Sequence, residues 1–280
     1  MAVEKELSPK QPRRLKNDRC AYCNSEFTRS DEPQKEHVVG RKFVPLGTHN
    51  QQWNLHLNAC HHCNQDKSTL ENDLSAITMI DGLAENTLDK LKSKEALRKS
   101  KSTSKRTGKK ISDSQETLNV SGNLGNAALQ VKLSAPPQFD NDRAFKLAWY
   151  QIAGFFFFLT YNDELCTGYH WPGLFTPVDV VTKSDWANSQ ATSFAELVKG
   201  WDLRLSGGEI ARGYYRVLIK KYPDAILWSW AMEWNKTTRL FGFLGEESEI
   251  QNSLSKLARP SWSPWVEQPA GNKVRYRKEC

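Results

Sequence analysis

Residues 20–67 read C-A-Y-C at 20–23, E-H-V-V-G-R-K-F at 36–43 and W-N-L-H-L-N-A-C-H-H-C-N-Q-D-K at 53–67. Both sulfurs of a C-x-x-C turn reach one metal, and two such turns supply four thiolates for a closed tetrahedral zinc site. The pairs here are Cys20/Cys23 and Cys60/Cys63. The same spacing also serves disulfides or redox-active thiols. The first ten residues (M-A-V-E-K-E-L-S-P-K) are charged and hold no apolar core, so they do not read as a secretory signal. The expectation is a cytoplasmic chain, whose thiols stay reduced and favour zinc. Cys166 and Cys280 have no such partners, and they read as a small core residue and an incidental thiol.

Working outward, Val38-Val39 reads as the start of a strand, and residues 64–80 as a helix with Leu70, Leu74, Ile77 and Ile80 at helical spacing. A second helix is predicted over 84–100, with Leu88, Leu91 and Leu97 turned inward.

An ordinary zinc ribbon needs no ionisable pair inside its loop, yet this one carries Glu36-His37, then Asn54-Leu55 and Cys60-x-x-Cys63-Asn64-x-x-Lys67. In this respect the segment resembles the HNH endonucleases, the zinc-bound branch of the ββα-metal nucleases. That family runs C-x-x-C, acidic-His-aliphatic-aliphatic, Asn-Leu, then C-x-x-C-Asn-x-x-Lys. The resemblance covers about fifty of 280 residues. It implies that His37 is the general base that takes a proton from water, near its ordinary pKa. It implies that Asn54 fixes the His37 ring. Glu36 and Asn64 would hold one Mg²⁺ or Mn²⁺ together with water and phosphate oxygens, and Lys67 would contact a neighbouring phosphate. Two positions depart from the commoner family residues: Glu36 stands where Asp is frequent, and Asn64 where His is frequent. His61 and His62 read as fillers of the knuckle turn, His49 and His56 as polar loop and strand residues, and His170 as a structural residue far from the module.

The formal charge of +7 is local rather than general. Residues 90–110 hold ten Lys or Arg against Glu95 alone, so this tract carries +9 and the rest of the chain −2. Such a tract reads as a phosphate-binding arm or as a solvated linker. The candidate nucleic-acid contacts are Lys67, Arg41, Lys42, Arg98, Lys99, Lys101, Lys105 and Arg106, with smaller basic clusters at 13–16 and 273–278.

Residues 99–138 are rich in Ser, Lys, Asn, Gly and Thr, and read as a linker with a short strand near 127–133. Beyond 139 lie nine of the ten tryptophans. Residues 145–161 are apolar, but too short and too polar at Lys146 and Gln151 for a membrane span, so a buried helix is expected. A further helix is predicted at 193–201. Three strands at 214–221, 226–234 and 238–244, joined by short turns, read as an antiparallel meander. In the middle strand Ile226, Trp228, Trp230, Met232 and Trp234 share one face. That face reads as core, with a base-stacking platform as the less favoured alternative.

The expectation is therefore an α+β protein: a ββα-metal zinc module with a helical extension at 1–98, the linker at 99–138, and an α+β domain with an antiparallel sheet at 139–280. The resemblance implies DNA hydrolysis, as a nick by a monomer or a double-strand break by a dimer. The family's habits place such a chain in restriction or anti-phage defence, with other subunits as partners. The alternatives are a non-catalytic zinc-dependent nucleic-acid binder, or a protein-interaction subunit of a larger complex.

Overall fold

The computed structural model describes residues 5–6, 12–50, 53–80, 89–113, 116–124, 127–135, 140–170, 173–182, 186 and 188–258. Strand β1 (Lys5–Glu6) is followed by β2 (Arg13–Arg14), β3 (Gln34–His37), β4 (Leu55–Ala59) and helix α1 (His61–Ile80). Strand β4 is the centre of a three-stranded sheet, with β2 parallel on one side and β3 antiparallel on the other. The predicted strand–strand–helix order of the first segment is present, and α1 starts directly after Cys60.

Helix α2 (Lys90–Ser100) begins at Asp89, whose side chain accepts from the Lys92 N–H and satisfies one orphan donor of the first turn. Its inward face was predicted to be leucine and is not. Leu91 and Leu97 are 45% and 61% exposed, while Lys92, Glu95, Ala96 and Lys99 are buried. Lysine stems pack as apolar chains while their ammonium groups find oxygens. The Lys99 ammonium donates to Ser75 Oγ (2.6 Å) and to the Lys42 carbonyl. Leu88 lies outside the described residues.

The predicted linker is largely structured. After a 3₁₀ turn at Ile111–Asp113, β5 (Glu116–Leu124) pairs antiparallel with β6 (Ala127–Ala135) in a two-stranded sheet.

Helix α3 (Asn141–Thr160) is the predicted apolar helix, capped by Asp140 accepting from Asp142 and Arg143 N–H groups. Among the described residues no helix is long and apolar enough to cross a membrane. The chain then forms β7 (Leu174–Thr182), α4 (Ser189–Leu197), β8 (Asp202–Ile210), β9 (Tyr215–Lys221), β10 (Leu227–Trp234), β11 (Thr238–Gly245) and α5 (Glu247–Ser255). The expected meander is β9-β10-β11, inside a six-stranded sheet of order β1-β8-β9-β10-β11-β7. All its pairings are antiparallel except β1 with β8.

Both faces of that sheet are covered. Trp230, Met232 and Trp234 are buried on one face, so the aromatic row is core and not an exposed stacking surface. Leu227, Phe241 and Phe243 pack on the other face with Phe194 of α4 and Ile250 and Leu254 of α5.

The first face joins the two segments read as separate domains. One hydrophobic core contains Val38, Val39, Leu55 and Leu57 from the small sheet, Leu70 and Leu74 from α1, Phe155 and Phe157 from α3, and Trp230 and Trp234 from β10. Each buried large side chain contributes about 1.5–3 kcal/mol, so this shared layer outweighs any single polar tie. Gln151 at the middle of α3 accepts from Tyr215 Oη (3.1 Å) and Trp234 Nε1 (3.0 Å). One turn further, Gly154 lets α3 lie directly on the small sheet, since a Cβ there would come within 2.7 Å of Val38 Cγ2.

Smaller ties reinforce this contact. Asn235, in the left-handed conformation between β10 and β11 (φ 50°), donates to the Phe43 carbonyl (3.1 Å) and Thr78 Oγ1 (2.9 Å). Asn tolerates that conformation better than other side chains with a Cβ. His170, expected to be remote from the module, hydrogen-bonds through its ring nitrogen to the Cys20 carbonyl (2.9 Å) and so braces the knuckle. Cys166 is partly exposed in a left-handed turn (φ 50°) and is not the core residue expected, while Cys280 lies outside the described residues.

Candidate metal centre and active site

The sulfurs of Cys20, Cys23, Cys60 and Cys63 all lie within 4.8 Å of one another. With zinc–sulfur bonds of about 2.3 Å, tetrahedral ligands stand about 3.8 Å apart, and Cys23 Sγ and Cys60 Sγ are 3.7 Å apart. The Cys63 N–H also points at Cys60 Sγ (3.5 Å). A hydrogen bond from Cys63 holds the Cys20 thiol down to about 4, while the Cys63 thiol is pushed up by the same bond and by burial. A proton-sharing thiol cluster of this shape fits a zinc ion.

Strand β3 sends alternate side chains to opposite faces. Gln34 and Glu36 turn to α1. Asn64 Nδ2 donates to Gln34 Oε1 (2.6 Å), and Gln34 Nε2 lies 2.8 Å from His61 Nδ1. Glu36 accepts from Lys67 Nζ (2.5 Å), and that ammonium also donates to Glu71 Oε1 (2.6 Å) and the His37 carbonyl (2.9 Å). Lys67 is 0% exposed. This overturns its expected role: an ammonium enclosed by two carboxylates and a carbonyl does not reach a phosphate. Lys99 is corrected for the same reason, being buried on α2, where burial pulls its ammonium down to about 8.

Glu71, which the sequence reading missed, completes the cluster. It sits one helical turn beyond Lys67 and accepts from the Gly40 N–H (3.1 Å). Gly40 is held to glycine by that approach, since a Cβ would fall 2.1 Å from Glu71 Oε2. Both carboxylates ionised against one ammonium leave one net negative charge. Burial and the neighbouring Glu71 push the Glu36 carboxyl up despite Lys67, and the two carboxylates hold the Lys67 ammonium above its ordinary range despite burial. Glu36 and the Asn64 amide oxygen fit as a partial donor set for a hard cation, which takes its remaining ligands from water and phosphate.

His37 leaves β3 on the other face. It stands directly opposite His56 of β4, with ring centroids 4.3 Å apart and planes at 66°. Asn54 is buried two residues before His56. His37 Nε2, both ring nitrogens of His49 and Asn54 Oδ1 are buried without hydrogen-bond partners among the described residues. Burial, His56 and the cations Arg41, Lys35 and Lys67 pull the His37 imidazole down to about 3, far from the near-ordinary pKa expected of it. The four catalytic candidates therefore divide. Glu36 and Asn64 are on the α1 side, and His37 is across the strand with His56.

Of the basic candidates, Arg41, Lys42, Lys101, Lys105 and Arg106 are exposed. Arg98 is exposed as well, but its guanidinium is engaged by Glu95 (2.5 Å). His61 and His62 are exposed in the first turn of α1, and the cluster at 273–278 lies outside the described residues. Comparison with known protein families, curated proteins and solved structures finds no match to this chain.

Proposed function

We propose that this chain is a metal-dependent endonuclease of the HNH type that hydrolyses phosphodiester bonds of DNA. The observation that carries the reading is the unpartnered, buried Nε2 of His37, held where strand, strand and helix meet. Buried polar atoms are nearly always paired, and the exceptions call for a chemical reason. A neutral imidazole is ready to accept a proton. In this reading Nε2 of His37 takes a proton from water, whose oxygen attacks phosphorus and releases a 3′-hydroxyl, leaving a 5′-phosphate on the other strand end. Lys67 is a positioning residue, since it holds the His37 carbonyl. Asn54 orients the loop that faces the ring. Glu36 and Asn64 supply the oxygen donors on the α1 side. A divalent cation bound there would neutralise charge on the phosphate and the departing oxygen.

The depressed basicity of His37 bears on this directly. Cations contribute to it, and a phosphodiester beside Arg41 and Lys35 offsets them, returning the imidazole toward neutral pH. Without that offset, the same observation favours a second reading, a zinc-dependent nucleic-acid binder that does not cut. Each chain carries one such centre, so a monomer nicks. Regulation by the C-terminal sheet, and a cytoplasmic setting in restriction or phage defence with further subunits, belong to the same proposal.

Supercoiled plasmid with Mg²⁺ or Mn²⁺ tests it. Native protein should relax the plasmid and His37→Ala should not. Equal cutting by both would sink the mechanism, and retarded but uncut DNA with both would favour the second reading.

A further inference from the structure

We propose that His49 and His56, together with Arg41, form a binding site for a phosphate oxyanion beside the candidate base. The site rests on the nuclease reading only in taking that oxyanion from a nucleic-acid backbone.

The arrangement is geometric first. His56 faces His37 across the β3–β4 pair at 4.3 Å between ring centroids. His49 comes from the loop joining those strands, close enough to Arg41 and His56 for both to hold down its protonation. A neutral imidazole always carries one N–H and one bare nitrogen. At His49 both are buried and unpartnered, and His37 Nε2 and Asn54 Oδ1 add two more such atoms. Four polar atoms left open together form a recognition surface, because a core would have paired them.

The charges identify the ligand. The charged groups acting on the three rings are Arg14, Lys35, Arg41 and Lys67, all cationic. The nearest carboxylates, Glu36 and Glu71, are bound to Lys67. A pocket edged by cations and lined with neutral N–H donors attracts an anion. The 66° between the His37 and His56 planes aims their donors in different directions, which suits a tetrahedral oxyanion better than a planar carboxylate. A metal is a poorer occupant. Among the described residues only the four cysteines bring three or more ligand atoms within 4.8 Å.

The experiment measures binding of a fluorescent 20-base-pair duplex to the full-length, zinc-loaded chain, without added Mg²⁺ or Mn²⁺, across a salt series. His49→Phe and His56→Phe should each bind about five- to tenfold more weakly, the loss of one hydrogen bond. They should leave the salt slope unchanged, since a neutral donor releases no counterion. Arg41→Gln should lower the slope by about 0.9. His49→Gln, which restores an N–H, should recover most of the affinity. Phe variants that melt and bind as the native chain does would overturn the proposal, as would equal weakening by Phe and Gln. Should His49→Phe fail to fold, His56→Gln and the Arg41→Gln slope decide it. Cleavage enters none of these readouts, so failure of the hydrolytic mechanism at His37 and failure of this site are separable.

Discussion

The ammonium of Lys67 lies 2.5 Å from Glu36 Oε1 with no exposure to solvent, and this pair fastens helix α1 to the strand that carries His37. A lysine placed where a nuclease motif suggests a phosphate contact is instead an internal brace.

Removal of that brace should therefore be felt in stability. Lys67→Met leaves Glu36 and Glu71 facing each other without a cation. The expected loss is about 3–5 kcal/mol in urea unfolding, the usual cost of orphaning a buried charge. Adding Glu71→Gln to the same chain should recover part of it. DNA affinity of the folded fraction should be unchanged, and a selective loss of affinity at native stability would contradict the assignment.

The thiol cluster predicts about one zinc per chain by metal analysis. Cys60→Ser should lower that content and the melting temperature together, because site formation and folding share one free energy. Zinc-free protein of native melting temperature would contradict it.

Histidines 49 and 56 predict a particular acid lability. Burial first, then neighbouring cations, lower both from 6.5 to about 4 in the folded chain. Their folded pKa lies below the unfolded one, so above about pH 6.5 both states are neutral and stability is complete. Below it the unfolded chain binds protons that the folded chain refuses. Stability should fall from pH 6.5 toward 4 by at most about 1.4 kcal/mol per pH unit for each ring. Urea titrations of His49→Phe should show a shallower fall over that window than the native chain.

The basic tract should separate into two kinds of lysine. Changing Lys101, Lys105 and Arg106 to Gln should weaken duplex binding and flatten the salt slope by about 2–3, near 0.9 per phosphate contact. Lys99→Met should leave the slope alone and lower stability, because Lys99 ties α2 to Ser75 and to the Lys42 carbonyl.

The parts legible in sequence were those with strong local signals. Helix α1 follows from Leu70 and Leu74 one turn apart, and the meander from alternating tryptophans bounded by turns. Strand β7 escaped notice because Pro177 and Asp179 are poor strand residues in isolation, and β8 because Gly207-Gly208 falls inside it. Helix α2 was placed but turned to the wrong face, since its buried side is lysine and glutamate satisfied by groups more than twenty residues away. The same limit governed the site. The C-x-x-C pairs announced themselves by spacing, whereas Glu71 became visible only when α1 met Gly40, and His49 and His56 only when a loop and a strand brought them to His37.

The close approach at Gly154 bears on how such a protein is switched. Where α3 touches Val38 without an intervening side chain, the catalytic segment has no independent surface to retreat behind. Expressed alone, residues 1–98 should present a bare apolar floor and aggregate, and the full chain should melt in a single calorimetric transition. Severing the peptide chain between the halves would release nothing. Control must come from what is laid over the centre or from strain passed through the common core, because there is no hinge at this contact to open.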